Sequence, residues 1–377
     1  MRTTEFKDTE LGPIPKDWEV KRFGEIGEPL MCRRVLKSQT SSNGEIPFYK
    51  IGTFGKKPDA YMSRALFDEL RRAYSYPRKG DVLISAAGTI GRVVVFDGKD
   101  AYFQDSNIVW VDNDESVALN EYLLWCYRIA KWTTEDGGTV SRLYNANLKA
   151  QRFLRPPLPE QRRIAAALGD VDKLIENLKK RVEKKKNLKR GAMQELLTGK
   201  RRLNGFTGAW AEKRLGAMLT IGNGRDYKHL GAGDVPVYGT GGLMTYVDDF
   251  LFEGATVCFG RKGTIDEPQY HEGKIWTVDT LYFTYDFIDT DPKWLYYRSL
   301  LIDWLSYNTA SGVPSLTAKA ICGITVSVPP LPEQRAIAAV LSDMDAEIAN
   351  LEAKLKKMTL LKQGMMQDLL TGKVRFV

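Results

Sequence analysis

Two stretches of the chain repeat apolar residues with helical spacing. In the later stretch the apolar positions are separated by alternating steps of four and three residues, at Ile337, Leu341, Met344, Ile348, Leu351, Leu355 and Met358. The earlier stretch has a matching series at Ile164, Leu168, Val171, Ile175, Leu178 and Val182. This heptad pattern is typical of a helix that packs along another helix. We expect the stripe to continue through Leu188 in the first helix and Leu361 in the second.

The two stretches are copies of one unit. The heptapeptide Pro156–Arg162 recurs unchanged at Pro329–Arg335, and 28 of the 48 positions from 156–203 match 329–376 without a gap. A proline followed by Glu and Gln is a helix start signal, and Leu-Thr-Gly near each end suits a left-handed cap. Each copy therefore predicts one helix of about 39 residues, about 58 Å long at about 1.5 Å per residue.

Two such helices in one chain can pack in two ways. They can pair antiparallel with each other, or each can pack on its own globular neighbour. The heptad stripe favours the antiparallel pair, because a strict seam is what a partner helix requires.

The segments between the helices also resemble each other, although their loops differ in length. Trp18 is followed by Lys-Arg-Phe-Gly after two residues, and Trp210 by Lys-Arg-Leu-Gly. Short β-branched runs at 82–84, 92–96, 106–111, 255–259 and 275–283 predict strands, and 119–132 and 292–307 predict helices. The sequence predicts a mixed α/β fold with pseudo-two-fold symmetry, in which two similar globular domains are joined by an antiparallel coiled coil. The predicted regions are domain 1 (1–155), helix 1 (156–203), domain 2 (204–328) and helix 2 (329–377).

Charge and cysteine content narrow the function. The chain of 377 residues has a formal charge of +8, and the helical segment 156–203 alone has 14 basic and 6 acidic residues. A basic balance suggests a polyanionic partner. The four cysteines are widely spaced and there are only two histidines, which argues against a zinc site or disulfide framework. We expect no metal site. With no apolar leader or membrane-length run, a cytoplasmic location and no membrane partner are expected.

Familiar enzyme motifs are missing from the sequence. No glycine-lysine pair is followed by Ser or Thr as a nucleotide phosphate loop requires, and the glycines at 239–242 lack the dinucleotide-binding spacing. The Pro-Pro-aromatic motifs that position an amino group for methylation are also absent. His229 and His271 have no evident nucleophile or metal partner in the sequence, so surface or hydrogen-bonding roles are expected. The chain is predicted to bind rather than to catalyse.

The doubled Pro-Pro-Leu-Pro-Glu-Gln-Arg, the two Leu-Leu-Thr-Gly-Lys helix ends and the two Trp-x-x-Lys-Arg openings resemble the specificity (S) subunit of type I DNA restriction-modification systems. The resemblance covers essentially the full chain. It implies two target recognition domains that each read half of a split double-stranded DNA site. It also implies a coiled coil that docks two methylase (M) subunits, through which restriction (R) subunits join. ATP, S-adenosylmethionine and magnesium would then belong to the other subunits, and this chain would hold no cofactor.

Candidate DNA-contacting residues lie in polar, basic loops and near glycine-rich turns, because Arg suits guanine, Asn and Gln suit adenine, and Lys mostly meets phosphate. In the first half they are Arg33, Arg34, Lys37, Gln39, Arg92 and Arg142. In the second half they are Asn223, Arg225, Tyr227, Lys228, Arg261, Lys262 and Ser315. A solvated surface role remains the alternative for each of them.

Two features of the helices suggest protein partners. The repeated triplet Glu160, Gln161 and Arg162, with its copy Glu333, Gln334 and Arg335, suits helix capping, and its repetition also suggests a partner surface. The lysine-rich run 179–186 could meet DNA, face solvent or meet an acidic methylase surface. Two other readings of the whole chain stay open, an autonomous DNA-modifying enzyme and a repetitive protein-binding scaffold.

Overall fold

The computed structural model describes residues 5–132 and 142–376. The chain forms two compact units. Unit 1 comprises Met1–Asn177 with Lys356–Val377, and unit 2 comprises Leu178–Leu355. Each unit therefore combines one globular segment with parts of both long helices, which the sequence had predicted as separate regions.

The globular part of unit 1 contains short strands and three helices. The strands are β1 (Phe6–Thr9), β2 (Gly12–Pro15), β3 (Glu19–Arg22), β4 (Pro29–Leu30), β5 (Ile46–Tyr49), β6 (Tyr61–Met62), β7 (Val82–Ser85), β8 (Val93–Val95), β9 (Tyr102–Phe103), β10 (Ile108–Val111) and β11 (Arg152–Arg155). The helices are α1 (Arg64–Ala73), α2 (Asn120–Ile129) and α3 (Asn145–Ala150), followed by the first long helix α4 (Leu158–Leu196).

Unit 2 has a similar set of elements. Its strands are β12 (Ala211–Arg214), β13 (Thr220–Asn223), β14 (Val235–Gly239), β15 (Gly242–Val247), β16 (Phe252–Glu253), β17 (Thr256–Gly260), β18 (Gln269–His271), β19 (Lys274–Thr277), β20 (Leu281–Tyr285) and β21 (Thr325–Val328). Its helices are α5 (Pro292–Ser299) and α6 (Ala318–Gly323), followed by the second long helix α7 (Leu331–Leu369).

The sheets of the two units share one topology. Unit 1 has a four-stranded antiparallel sheet in the order β4-β10-β7-β8, and unit 2 has the equivalent β13-β20-β17-β18. A parallel pair, β5 with β9 or β14 with β19, belongs to a second sheet in each unit, which has the order β6-β5-β9 in unit 1 and β15-β14-β19-β16 in unit 2. The strand that opens each domain pairs with the strand before the long helix, β3 with β11 and β12 with β21. The predicted similarity of the two globular segments is confirmed.

Two predicted elements of unit 2 are interrupted in the structure. The run 275–283 is two strands in different sheets, because the N–H of Leu281 donates to the carbonyl of Val278 at 2.9 Å and turns the chain. The predicted helix 292–307 ends at Ser299, and a short 3-10 helix follows at Trp304–Tyr307. Apolar and aromatic residues continue across both breaks, so the composition of the sequence did not show them.

Both long helices have the predicted length of 39 residues. Pro159 and Pro332 lie in their first turns. Gly199 and Gly372 have φ values of +72° and +73°, in the left-handed region that glycine adopts without strain. The start and stop signals read from the sequence are therefore confirmed.

In unit 1 the beginning of α4 packs antiparallel to the end of α7. The Lys362 ammonium hydrogen-bonds to Asp172, and the Arg163 guanidinium donates to the carbonyl of Phe376 at 2.8 Å. Ile164 and Leu168 are fully buried in a core shared with Leu369 and with side chains of α2. The helices therefore pair with each other and also pack on the globular part.

Unit 2 shows the same arrangement with the roles of the helices exchanged. Lys189 pairs with Asp345 at 2.5 Å, and Lys186 pairs with Glu352 at 2.8 Å, so residue numbers rise on one helix as they fall on the other. Met193 and Leu196 of α4 share a core with Leu341 of α7. The predicted antiparallel pairing is confirmed within each unit.

The continuation of the apolar stripe was predicted wrongly at equivalent places in both copies. Leu188 and Leu361 are 50% and 48% exposed, whereas the side chains of Lys189 and Lys362 are only 17% and 19% exposed. Each lysine turns inward because an aspartate receives its ammonium and an aromatic ring lies beside it. The rings are Trp125 for Lys362, at 5.1 Å, and Tyr297 for Lys189, at 5.1 Å.

Part of the lysine-rich run of α4 is used inside unit 2. Lys185 pairs with Glu347 at 2.7 Å and Lys186 with Glu352. Lys185 occupies the heptad position where the second copy has Met358, so an ion pair to α7 replaces an apolar contact there. These pairs favour the helix-face reading of the two lysines over a DNA contact.

The start of α4 carries a buried carboxylate that connects three parts of unit 1. Glu160 is 4% exposed and accepts from the indole N–H of Trp18 at 3.0 Å. The Arg375 guanidinium donates to both oxygens of Glu160 at 2.7 Å and also to Asp17 at 2.8 and 2.9 Å. These hydrogen bonds from Arg375 lower the pKa of Asp17.

Unit 2 repeats this cluster at the start of α7. Glu333 is fully buried and accepts from the Trp210 indole at 3.1 Å and from Arg202 at 2.5 and 2.6 Å. The Arg202 guanidinium lies 5.6 Å from the centre of the Trp210 ring. Its Nη2 also donates to the carbonyl of Gly208 at 2.8 Å, in place of the aspartate of unit 1. We call these two groups the Glu-Arg-Trp clusters.

We expect Arg202→Ala to destabilise unit 2 by about 3–5 kcal/mol, because Glu333 would remain buried without its cation. The neighbouring Arg201→Ala is the matched control, since its side chain is 63% exposed and pairs with Glu195 at the surface. Such an exposed pair contributes less than about 1 kcal/mol. Urea unfolding followed by circular dichroism would measure both variants. Equal losses in the two would contradict a structural role for the cluster.

Candidate nucleic-acid interface

In unit 1 several loops meet at one edge of the four-stranded sheet, where β4 and β7 end and β8 and β10 begin. The N–H of Ser106 contacts the sulfur of Met31 at 3.3 Å, and the N–H of Ala86 donates to the carbonyl of Asn107 at 2.7 Å. Ala87 forms an isolated β-bridge with Arg142. We call this surface the first loop edge; it comprises residues 31–39, 86–92, 104–107 and 142.

The first loop edge contains the six candidate residues of the first half. Arg33 is exposed and lies over the Tyr74 ring at 5.1 Å. Arg34 and Lys37 are exposed and line a cleft of about 520 Å³ with Gln104. Their side chains are placed to meet a ligand at this edge.

The other three candidates of the first half differ in availability. Arg142 is exposed. The carboxamide oxygen of Gln39 accepts from the N–H of Leu36 at 2.8 Å, so this side chain stabilises its own loop. Arg92 is half-buried and donates to the carbonyl of Phe54 at 3.1 Å. The side chains of Gln39 and Arg92 therefore stabilise the loops of this edge, which the sequence did not reveal.

Unit 2 has an equivalent surface, the second loop edge, which comprises residues 223–228, 261–264, 278–280 and 308–315. The N–H of Arg225 donates to the carbonyl of Thr277, and that of Arg261 to the carbonyl of Thr280, both at 2.8 Å. Lys262 forms an isolated β-bridge with Ser315, at the place that Ala87 and Arg142 occupy in unit 1. Loops far apart in sequence thus converge on one end of the sheet.

A close approach of two backbones builds the second loop edge. A Cβ atom at Gly224 would lie 1.9 Å from the carbonyl oxygen of Val278, so only glycine fits there. Without a side chain at Gly224, the backbone just before Arg225 packs against the 278–280 turn. The glycine therefore helps to fix the position of Arg225.

Candidates of the second half also divide into available and occupied side chains. Asn223, Arg225, Lys228, Arg261 and Lys262 are exposed. The Arg261 guanidinium donates to the carbonyl of Asp279 at 3.3 Å and lies 5.9 Å from the centre of the Tyr282 ring.

Tyr227 and Ser315 are less available. Tyr227 packs against a small core around Trp276. The Ser315 hydroxyl donates to the carbonyl of Val313 at 3.3 Å, within its own loop. The exposed cations, rather than these two residues, are the groups that a ligand would meet first.

The sequence missed Asn308, whose side chain holds the loop that ends at Ser315. Its carboxamide oxygen accepts from the N–H of Ser315 at 2.9 Å and from that of Ala310 at 3.1 Å. Asn beside a Gly- and Pro-containing polar stretch is a turn signal, and that signal could have indicated the loop.

Four of the six residues predicted as a partner surface are buried. Glu160 and Glu333 belong to the Glu-Arg-Trp clusters. Gln161 and Gln334 are 0% exposed. Of the six, only Arg162 and Arg335 present exposed side chains, so the prediction of a partner surface can rest only on these two residues.

The buried glutamines attach each long helix to its globular segment. The Gln161 oxygen accepts from the N–H of Leu119 at 2.8 Å, just before α2, and its amide donates to the carbonyls of Val117 and Pro156. The Gln334 oxygen accepts from the N–H of Asp291 at 2.8 Å, just before α5. Its amide donates to two equivalent carbonyls, those of Asp289 and Pro329.

The histidines and cysteines of the described residues are placed as packing groups. The His271 ring stacks on Tyr238 at 3.7 Å, and burial lowers its pKa to about 4, so it is neutral at pH 7. The cysteines are free thiols, and burial raises the pKa of Cys32, Cys126 and Cys258 to about 12. Among residues 5–132 and 142–376 no group of three metal-ligating side chains is found. In the same residues, no helix is long and apolar enough to cross a membrane.

Known proteins with similar sequences are specificity subunits of type I restriction enzymes. One from Haemophilus influenzae is 58% identical over 160 residues, which is 42% of each chain. The MjaX specificity subunit from Methanocaldococcus jannaschii is 25% identical over 98% of this chain and 96% of the relative.

Solved structures show the same fold. The S subunit of a type I restriction-modification system from M. genitalium has a TM-score of 0.70 at 17% identity and covers 98% of this chain and 99% of its own. A structure described as showing complex assembly and conformational transition of the type I system has a TM-score of 0.52 at 18% identity, covering 96% of this chain and 99% of its own.

The sequence model of the type I restriction modification DNA specificity domain matches two regions, 15–185 and 208–360, which together cover most of the chain. Each match contains one globular segment, one loop edge and most of the long helix that follows. Together with the repeated fold, this shows that the chain belongs to the type I restriction-modification DNA specificity family.

Proposed function

We propose that this chain is the non-catalytic recognition subunit of a type I restriction-modification complex and that it reads a bipartite, asymmetric DNA target. Each loop edge would read one half of the target. The observation that carries this proposal is the pair of equivalent loop edges, which gather exposed cations on one scaffold but place different residues at matching positions. Ala87 and Arg142 in unit 1 correspond to Lys262 and Ser315 in unit 2.

That difference has a direct consequence for the target. Base edges are read by side chains of particular geometry, whereas phosphates are met by Lys and Arg without regard to sequence. Two scaffolds with different side chains at the same positions would read different bases. The two half-sites are therefore expected to differ, and the whole target to lack palindromic symmetry.

The proposed partners are double-stranded DNA, two methylase (M) subunits and, through them, restriction (R) subunits. The exposed residues Arg162 and Arg335 stand at equivalent first turns of α4 and α7, which supports one equivalent contact for each methylase subunit. ATP, S-adenosylmethionine and magnesium would be bound by those partners. A complex that acts on cellular DNA in this way would work in the cytoplasm.

A methylation assay on genomic DNA tests the proposal against its two competitors. We expect sequence-specific methylation only when this chain and a methylase subunit are expressed together, at one asymmetric, gapped target. Methylation by this chain alone would indicate an autonomous enzyme. No methylation with an active, co-purifying methylase subunit would favour a protein-binding scaffold.

We expect Lys262→Ala to reduce the slope of log binding constant against log salt concentration by about one unit, because one phosphate contact would be lost. Lys274→Ala is the matched control: it removes the same charge from the start of β19, whereas the end of that strand lies at the second loop edge. Fluorescence anisotropy of the methylase complex with target DNA between 50 and 200 mM salt, about the range where such contacts dominate, would measure both slopes. Equal slopes for Lys262→Ala and the unmodified protein would remove this residue from the interface.

We expect the long helices to set the length of the unread gap. Deleting seven residues from each helix, 175–181 and 353–359, shortens each by about 10 Å. The deleted segments lie between the ion pairs of Asp172 with Lys362 and of Lys189 with Asp345, so both pairs are retained. The methylated target should then lose about three base pairs from its gap at about 3.4 Å per pair.

Deletion of 175–181 alone is the control, because it shifts one helix against the other and should abolish methylation. Unchanged gap length after the double deletion would contradict the idea that the helices act as a ruler.

A further inference from the structure

We propose that Val313 is a specificity-determining residue of unit 2 and that its side chain contacts the 5-methyl group of a thymine in the half-site read by the second loop edge. This inference rests on the proposed DNA-reading function. It goes further by naming a residue, a base and the atoms that meet.

The loop that carries Val313 is shaped before any ligand arrives. The Asn308 carboxamide accepts from two N–H groups of the loop and donates to the carbonyl of Ala310 at 2.9 Å. The N–H of Thr309 and its hydroxyl donate to the carbonyl of Ser315 at 2.9 and 3.1 Å. These bonds close residues 308–315 into a ring, so little conformational freedom is lost when the tip contacts a partner.

The base of this loop is attached to the segment that carries the exposed cations. The N–H of Leu316 donates to the carbonyl of Arg261 at 2.9 Å, and the N–H of Gly263 donates to the carbonyl of Pro314 at 2.9 Å. Lys262 bridges to Ser315 between these two bonds. The tip therefore projects from the same strand end as the Arg261 and Lys262 side chains.

Val313 is 54% exposed although it lies within this ordered loop. A single exposed apolar residue needs no explanation on an ordinary surface. Here its backbone is held by side-chain hydrogen bonds and its neighbours carry positive charge. The cations favour a polyanion over an apolar protein groove, and we therefore assign duplex DNA as the occupant.

The chemistry of DNA selects the contact. In the major groove each base edge presents hydrogen-bonding atoms, and thymine adds a methyl group that apolar side chains meet. Val313 offers no donor or acceptor in its side chain, so a methyl group is the base feature that it can distinguish. Arg261 and Lys262 would meet flanking phosphates or a guanine edge. Asn308 acts as a positioning residue that holds the tip.

The test is a double-mutant cycle between protein and DNA. After the target has been mapped, each thymine of the half-site read by unit 2 is replaced in turn by deoxyuridine, which lacks the methyl group. Binding to the methylase complex of the unmodified protein should weaken about fourfold at one thymine, the value of one buried methyl group. In Val313→Ala the same replacement should cause no further loss. Val313→Thr, which exchanges one methyl group for a hydroxyl of similar size, should reduce the discrimination at that thymine.

Two further variants separate this contact from general effects. Ile288→Ala removes another exposed apolar side chain of unit 2, 61% exposed, beyond the opposite end of β20, and should keep the thymine preference. Asn308→Ala should lose the thymine preference at the same base as Val313→Ala. The salt slope should not change in Val313→Ala, because no phosphate contact is removed.

Additive losses at every thymine, or a half-site that contains no thymine on either strand, would overturn the assignment of Val313 and leave the proposed function standing. Absence of any sequence-specific binding by the unmodified complex would overturn the proposed function itself. The two failures are therefore distinguishable in one set of measurements.

Discussion

A buried carboxylate at the start of each long helix is the interaction on which the rest of the molecule depends. Glu160 and Glu333 each join a tryptophan from the first strands of a domain to an arginine that follows the end of a long helix. A carboxylate at 0–4% exposure is tolerated only because the arginine neutralises it and the indole supplies a further donor. In unit 1 three segments distant in sequence are thereby fixed at one point, and in unit 2 the segment 202–210 is fixed to the start of α7.

The adjacent glutamine carries that constraint into the globular part. Gln334 holds Asp289 and Asp291, and these residues follow β20, whose other end begins at the second loop edge. In unit 1 Gln161 holds Val117 and Leu119, which follow β10, and β10 likewise begins at the first loop edge. The attachment to the helix and the loop edge therefore lie at opposite ends of one strand in each unit. The helix residues that make the attachment are repeated between the units, whereas residues at the loop edges differ.

Local signals predicted much of the fold. Heptad spacing, the prolines of the first turns, and Gly199 and Gly372 defined both long helices, because these features depend only on neighbouring residues. The inward orientation of Lys189 and Lys362 was not predicted. The helix contact was inferred from apolar residues alone, and these do not show that Asp345 or Asp172 lies opposite on the other helix. Glu160 and Gln161 were predicted to belong to a partner surface for the same reason: the groups that bury them lie far away in the sequence.

The sequence predicted which types of residue lie at the candidate interface, but not which of them hold the loops and which face solvent. Basic residues near glycine turns did converge on the two loop edges. Yet Gln39 bonds within its own loop, Arg92 donates to the carbonyl of Phe54 in another loop, and Tyr227 packs against the core around Trp276. Asn308 was overlooked because its importance lies in holding a loop rather than in its own charge. Sequence chemistry therefore located the surface, and only the three-dimensional contacts separated residues that shape it from residues that face outward.

The inward lysines also explain why one helix register is selected. Lys189 and Lys362 occupy equivalent positions of the two copies, and so do Asp345 and Asp172. A slip of one helix by a heptad would bury each ammonium away from its carboxylate, and an unpaired charge in such a site is strongly destabilising. Removing whole heptads from both helices retains the pairs, whereas removing one heptad from a single helix breaks at least one of them. The ion pairs therefore make helix length a property that can change only in matched steps, which is what the proposed role of the helices as a ruler requires.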